Sequence, residues 1–182
     1  MFRNVIPIDP MPQPSTRSAF LQAEHMDHTG NNIAMPDRMH QEICFALARK
    51  IADFIDSCHG SCKVYPAPFA VFLNDDCENY VQPDISVICD QSKLKDRGCN
   101  GAPDWIIEIV SPATQRIDYF VKLFKYRISG VREYWIVNPM KHTVQVYSFD
   151  GDGDSMQFSF EDTVKVGIYD SLHIRIADFL KT

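Results

Sequence analysis

The strongest strand signal in the sequence is Asp104-Trp105-Ile106-Ile107-Glu108-Ile109-Val110. Successive side chains of a β-strand point to opposite faces, and here both faces are apolar except at Glu108. A strand that is apolar on both faces lies inside a sheet that is covered on both sides. Glu108 is therefore expected to be buried, and a buried carboxylate needs a partner charge, a proton or a metal ion. A buried Glu–Arg pair is the plain structural interpretation, and a metal site is the functional one.

A second acidic residue, Asp84, opens the apolar stretch Gln82-Pro83-Asp84-Ile85-Ser86-Val87-Ile88. Proline cannot donate to a sheet ladder, so Pro83 predicts a strand start or a β-bulge, and bulges are frequent beside active sites. If this strand pairs with the strand of Glu108, the two carboxylates converge. Carboxylate oxygens completed by water are ligands that suit Mg²⁺. Without that pairing, Asp84 would only cap a turn.

A helix is predicted to follow the Glu108 strand, from Pro112 to Ser129, with Gly130 as its C′ residue. Its apolar residues are expected to face the core, and they are Ile117, Phe120, Val121, Phe124 and Ile128. Asp118 and Lys122 lie in a polar strip beside this apolar stripe, from which side chains can reach a cleft between helix and sheet. The alternative is a solvent-exposed i,i+4 ion pair.

The remaining pattern predicts one α/β domain. Apolar residues recur every three or four positions from Asp37 to Cys58, which indicates a long amphipathic helix. Strands are predicted at residues 62–73, 80–89, 133–137 and 143–149, and Pro66 and Pro68 in the first of them indicate an edge position or a bulge. Residues 1–35 are expected to be extended or weakly structured, and residues 36–182 to form a single domain.

Four segments, in a fixed order, carry a family resemblance. They are Pro83-Asp84, the stretch Ala102 to Thr114, Asp118-x3-Lys122-x3-Tyr126, and Gly130-Val131-x-Glu133-Tyr134-Trp135. Together they resemble the Uma-two family, which consists largely of bacterial endonucleases with the PD-(D/E)XK fold. The resemblance is closest over residues 81–147. It implies an α/β fold with a restriction-endonuclease-like mixed sheet flanked by helices.

The resemblance also implies roles for single residues. Asp84 matches the motif aspartate and Glu108 the motif glutamate, so both are expected to bind the metal ion. The motif lysine usually stands two residues after the glutamate, where this chain has Val110. The resemblance instead places the catalytic lysine on the following helix, at Lys122.

Two further residues are candidates for supporting roles. Asp118 stands four residues before Lys122 and would position it. His40 stands at the entry to the first long helix, where Arg38-Met39-His40-Gln41-x-Ile43 is similar to the family pattern. It lies at the cleft, or it is an ordinary residue of the helix surface.

The implied activity is that of an endonuclease that hydrolyses DNA phosphodiester bonds with Mg²⁺ or Mn²⁺ as cofactor. One alternative is a non-catalytic nucleic-acid-binding or interaction module that keeps the nuclease fold. Hydrolysis of another phosphoester is a third possibility. An inactive relative would be expected to lose a carboxylate or the lysine, and this chain keeps all three.

Composition indicates the cellular compartment in which this activity is expected. The net charge of −6 argues against coating nucleic acid through bulk electrostatics. No apolar run approaches the roughly 20 residues that span a bilayer, no secretory signal is visible, and the six cysteines are interpreted as unpaired and reduced. These observations predict a cytoplasmic protein with no membrane partner.

A homodimer is predicted because two sites related by a two-fold axis can cut both strands of a duplex. Four aromatic residues could supply the interface or belong to the core, and they are Tyr134, Trp135, Tyr147 and Phe149.

Overall fold

The apolar run around Glu108 forms a strand, Trp105–Ile109, in which every residue is buried. A computed structural model describes residues 36–74, 80–112, 114–150 and 155–180. The prediction made for residues 1–35 lies outside these ranges and stays a prediction. The strands are β1 Lys63–Pro66, β2 Val71–Phe72, β3 Ile85–Ile88, β4 Leu94–Lys95, β5 Gly98–Asn100, β6 Trp105–Ile109, β7 Glu133–Asn138, β8 Thr143–Ser148, β9 Ser155–Ser159, β10 Val164–Lys165 and β11 His173–Ile174.

Strand β6 lies inside a six-stranded sheet of order β1-β3-β6-β7-β8-β9. It pairs in parallel with β7, whereas the other neighbouring pairs of this sheet are antiparallel. A parallel pair needs a crossover connection, and the second helix supplies it between β6 and β7. The short strands form a three-stranded sheet, β2-β5-β4, and a two-stranded one, β10-β11. The predicted mixed sheet is confirmed.

The first helix, α1, covers one face of the sheet over Arg38–Ser57. Asp37 caps it, because the Asp37 carboxylate accepts a hydrogen bond from the His40 backbone N–H at 2.8 Å. The buried residues of α1 share a core with one face of β6 and β7, and they are Ile43, Cys44, Leu47, Ile51 and Ile55. The helix predicted from Asp37 to Cys58 is therefore confirmed within one residue at each end.

The second helix, residues 117–129, packs on the opposite face of the sheet, where Tyr126 shares a core with Ile106 and Tyr134. It consists of a π-helical segment, Ile117–Lys122, that continues into the α-helix α2, Leu123–Ser129. Helical hydrogen bonding begins at Gln115 and not at Pro112. The Ser111 N–H donates instead to Thr114 Oγ1 at 3.0 Å, so a side chain closes the preceding turn.

The predicted orientation of this helix is wrong. The five apolar residues expected in the core are exposed: Ile117, Phe120, Val121, Phe124 and Ile128. Asp118 and Tyr126 are buried instead. The 3.6-residue period identifies an amphipathic helix, but it does not say which face meets the protein. Here the face of the helix that packs on the sheet is polar, and ion pairs and hydrogen bonds satisfy its buried groups.

Prolines shorten two of the predicted strands. The segment predicted as one strand at residues 62–73 is split into β1 and β2, with Pro66 at the end of β1 and Pro68 between them. The strand predicted at residues 80–89 is reduced to Ile85–Ile88, after Pro83. Because proline has no N–H for the ladder, pairing stops near each of these positions. The predicted edge position of β1 is confirmed.

The expectation that all cysteines are unpaired is also wrong, because Cys62 and Cys89 form a disulfide bond. Antiparallel pairing of β1 with β3 brings Lys63 opposite Ile88. Cys62 precedes Lys63 and Cys89 follows Ile88, so the same register brings the two cysteines together. Cys44, Cys58 and Cys99 are free. The reduced-thiol argument for a cytoplasmic protein therefore loses its basis. Within the described ranges, no helix has the length and apolar character needed to cross a membrane.

The four aromatic residues considered for a dimer surface differ in their burial. Tyr134 and Trp135 are fully buried in β7. Tyr147 and Phe149 are half-buried and pack against the core on the side of the second helix. The core interpretation holds for this group, so a dimer would need another surface.

Gly130 ends the second helix with φ of +90°, in the left-handed region, and a Cβ built there would have no atom within 4 Å. Replacement by alanine therefore adds only backbone strain, of about 1 kcal/mol. We expect Gly130→Ala to lower the free energy of unfolding by that amount, measured by urea denaturation. Gly130→Asn is the matched control and should cost less, because asparagine tolerates this conformation. Equal losses for both would contradict this explanation.

Candidate active site

Asp84 and Glu108 meet where β3 and β6 lie side by side. Ile85 pairs with Ile107 in an antiparallel register, so the residue before β3 stands next to Glu108. The Asp84 side chain crosses to β6, where its Oδ2 accepts a hydrogen bond from the Ile109 N–H at 2.7 Å. The predicted convergence of the two carboxylates on neighbouring strands is thus present.

Glu108 is almost fully buried, with 3% of its surface exposed. Its Oε1 accepts a hydrogen bond from the Tyr126 hydroxyl at 2.7 Å and lies 2.9 Å from Lys122 Nζ. Burial, helped by the nearby charges of Asp84 and Asp118, raises the pKa of Glu108 to about 7, although the Lys122 ammonium opposes the shift. The buried Glu–Arg pair, the structural alternative to a metal site, is not among these contacts, and Lys122 stands where that arginine would.

Lys122 bridges two carboxylates. Its Nζ lies 2.9 Å from Glu108 Oε1 and 2.9 Å from Asp118 Oδ1. Burial disfavours the ammonium, but the two carboxylates outweigh it and raise the pKa of Lys122. The predicted i,i+4 pair of Asp118 and Lys122 therefore exists, but it points into the protein and not into solvent.

The π-helical segment sets this arrangement. Asp118 and Lys122 both lie in Ile117–Lys122, and π-helical turns are frequent at functional sites. The Tyr134 hydroxyl donates to the Asp118 backbone carbonyl at 3.1 Å, which ties the segment to β7. Tyr126, one turn after Lys122, completes the inner face.

His40 reaches Asp84 from α1. Its Nε2 lies 3.1 Å from Asp84 Oδ2, and its buried Nδ1 has no hydrogen-bond partner among the residues that the structure describes. Burial opposes a charge on His40, but the hydrogen bond and charge of Asp84 outweigh it, so the pKa of His40 is raised. Of the two positions considered for His40, the structure places it at the cleft. Cys44 lies beside it, with its Sγ 3.5 Å from the Asp84 carbonyl.

The donor set fits a hard divalent cation. Asp84 Oδ1 and Glu108 Oε2 accept no hydrogen bond from the part of the chain that the structure describes. No group of three or more His, Cys, Asp or Glu side chains there could by itself hold an ion. Mg²⁺ is commonly held by only one or two carboxylates and keeps several waters. Two carboxylates with one oxygen each left over suit such an ion better than zinc, which needs three or four protein ligands.

Tyr126 is the site residue to which the sequence pattern assigned no role. The signal was present, because Asp118, Lys122 and Tyr126 recur every four residues and so share one face of a helix. Burial and the neighbouring Glu108 raise the pKa of the Tyr126 phenol, which keeps it a neutral donor. Lys125, three residues after Lys122 on the same helix, is half-exposed and forms no ion pair within the described ranges.

Comparison with known proteins places the chain in a family. A family model described as "Putative restriction endonuclease", Uma2, matches residues 21–173. An uncharacterized protein of the cyanobacterium Synechocystis sp. (strain ATCC 27184 / PCC 6803 / Kazusa) is 24% identical over 123 residues, or 67% of this chain and 63% of that protein. The match thus spans less than two thirds of the relative's length.

A solved structure shares the fold. It is the crystal structure of a putative nuclease belonging to DUF820 from Anabaena variabilis ATCC 29413, with a TM-score of 0.65 and 22% sequence identity. The similarity covers 82% of this chain and 84% of that one. At this identity the match concerns the fold, and it confirms the nuclease-like architecture expected from the sequence.

The raised pKa of Glu108 predicts a pH-dependent stability. The folded protein favours the protonated form, so the stabilisation is complete below the ordinary pKa of 4.5 and is lost as pH rises through about 7. We expect the stability of the wild type relative to Glu108→Gln to fall between pH 5 and pH 8, measured by urea denaturation at each pH. Glu42→Gln, at an exposed position of α1, is the control and should show no such trend. A pH-independent difference for Glu108→Gln would contradict the assignment.

Proposed function

Because the chain belongs to the Uma2 family, whose description is "Putative restriction endonuclease", we propose that it is a divalent-metal-dependent endonuclease that hydrolyses phosphodiester bonds in DNA. One observation carries the proposal. Glu108, Lys122 and Asp118 form a buried charged network directly beside Asp84. Buried ion pairs seldom improve stability over apolar packing, whereas strongly perturbed ionisable groups gather at functional sites.

Asp84 and Glu108 would hold the ion, Mg²⁺ or Mn²⁺, through Asp84 Oδ1 and Glu108 Oε2. When bound, such an ion polarises the phosphate and lowers the pKa of a coordinated water. The Ile109 N–H and His40 both engage Asp84 Oδ2. These two contacts fix the carboxylate and direct its other oxygen away from them. His40 is in this respect a positioning residue.

Lys122 is proposed to act on the phosphate. Its side chain is 24% exposed, and its ammonium contacts Glu108 and Asp118. A fixed positive charge of this kind stabilises negative charge that develops during hydrolysis. Asp118 positions the ammonium from one side, and Tyr126 holds the Glu108 oxygen that the lysine also contacts.

DNA is the proposed substrate, and the cytoplasm, predicted from the sequence, is the proposed location. The basic residues are unevenly distributed, with nine Lys and Arg against five Asp and Glu from Gln91 to Lys141. This stretch includes both Glu108 and the second helix. We also propose a homodimer, since paired sites serve both strands of a duplex.

Cleavage assays test the proposed chemistry. The protein should nick or cut DNA in Mn²⁺ or Mg²⁺, and chelation should abolish the activity. Asp84→Asn and Glu108→Gln should remove it, because each takes a ligand from the same ion. Lys122→Met should reduce the rate by roughly 10²- to 10³-fold, as for the loss of a charge-stabilising donor. Tyr126→Phe should reduce it by roughly 10- to 100-fold, as for groups that orient metal ligands.

Lys125→Met is the control for Lys122→Met. It lies on the same helix but forms no ion pair within the described ranges, so its rate should remain near wild type. A wild-type protein that binds DNA in a salt-sensitive manner but cuts nothing in any divalent metal would favour the non-catalytic binding module. A Lys122→Met variant as fast as wild type would remove the lysine from the mechanism and leave the fold assignment intact.

Thermal melts test the metal site without any activity. Mn²⁺ should raise the melting temperature by mass action and by relieving repulsion between the carboxylates. The rise should be lost in Glu108→Gln and kept in Glu42→Gln. The same rise in wild type and Glu108→Gln would place the ion elsewhere.

A further inference from the structure

The outward face of the second helix is apolar. Ile117, Phe120, Val121, Phe124 and Ile128, here called the outer stripe, are between 48% and 71% exposed. They account for five of the nine exposed large hydrophobic residues in the described ranges. Their spacing of one, three or four residues forms one continuous seam along the helix. This is the face that the sequence pattern assigned to the core.

The outer stripe is large enough to matter for association. A fully buried aromatic side chain covers roughly 150–250 Å², so Phe120 and Phe124 together expose on the order of 250 Å². With the three aliphatic residues, the stripe exposes on the order of 500 Å², near the upper end of what monomeric proteins show. A stable interface buries about 800 Å² on each partner. The stripe alone supplies more than half of that area, and its rim can supply the remainder.

The chemistry of the stripe favours an apolar partner. Its five side chains carry no hydrogen-bonding group, and the exposed charged residues beside it are Arg116, directly before the helix, and Arg127, near its end. A nucleic acid would need basic residues along the face to contact its phosphates. The stripe also lies on the side of the helix away from Asp118 and Tyr126, which face the sheet and the carboxylates.

We propose that two copies of the chain pair outer stripe against outer stripe about a two-fold axis. A two-fold contact uses the same patch on both subunits, and an apolar helical seam is complementary to itself. The two helices would pack at about 8–10 Å, the usual spacing of helix pairs. The pairing itself does not rest on the proposed function. Only its benefit does, because a dimer would carry two active sites, each on the inner side of one of the paired helices.

The response to salt distinguishes this dimer from the binding of a polyanion, because the charged residues beside the outer stripe are arginines. Arg116 and Arg127 are repeated on each copy, so salt screens a repulsion between subunits and should not weaken the dimer. Binding to DNA or to an anionic lipid surface through the same face would instead weaken as salt rises.

Sedimentation of the full chain, without metal or DNA, tests the interface. The wild type should be a dimer at micromolar concentration, in low and in high salt. Phe124→Glu should be a monomer with an unchanged circular dichroism spectrum, because position 124 is 66% exposed. Phe45→Glu, at a site on α1 that is 68% exposed, is the matched control and should remain a dimer.

Cysteine crosslinking identifies the surface directly. In a Cys58→Ser background, Val121→Cys or Phe124→Cys, in the middle of the stripe, should form disulfide-linked dimers on oxidation. Phe45→Cys should not form them. A monomeric wild type, a Phe124→Glu dimer, or equal crosslinking at position 45 would overturn the proposal. None of these outcomes depends on nuclease activity, so a failure here and a failure of the proposed chemistry are separate results.

Discussion

The burial of Glu108 is the constraint from which the site follows. A carboxylate in the middle of a covered strand is costly, and the fold answers it with Lys122 and the Tyr126 hydroxyl at a single oxygen. The Lys122 ammonium also contacts a second buried carboxylate, that of Asp118. The inner face of the second helix is therefore polar by necessity. The outer face carries the apolar residues that an ordinary amphipathic helix would have buried, so one buried charge determines what both faces of that helix can do.

The sequence predicts those features that depend on local chemistry. The strand Trp105–Ile109, the helix capped by Asp37 and the stop at Gly130 each follow from a few neighbouring residues. The proximity of Asp84 and Glu108 was accessible only as a condition, namely that their two apolar strands pair, and the register of β3 with β6 meets it. The orientation of the second helix was not accessible, because it depends on the charge of a residue on another element. The Cys62–Cys89 bond likewise depends on the register between β1 and β3.

The position of the lysine departs from the usual nuclease motif in a way that the packing explains. Val110, which stands where the motif lysine usually stands, is buried among apolar residues on the side of the second helix. A lysine there would need a partner charge in the core. Lys122 approaches the same carboxylate from the helix and keeps a quarter of its side chain in contact with solvent. A lysine therefore contacts Glu108 although none stands two residues after it in the chain.

The bridging ammonium of Lys122 also supplies the positive charge that the buried carboxylates need. Small zinc domains collapse when the metal is removed, because only the metal balances their ligands. Here the positive charge beside the carboxylates belongs to Lys122, a residue of the chain, so it is present at any cation concentration. The charges of Glu108, Lys122 and Asp118 are thus paired among residues of the chain itself. The fold around Glu108 does not have to be completed by anything from outside the chain.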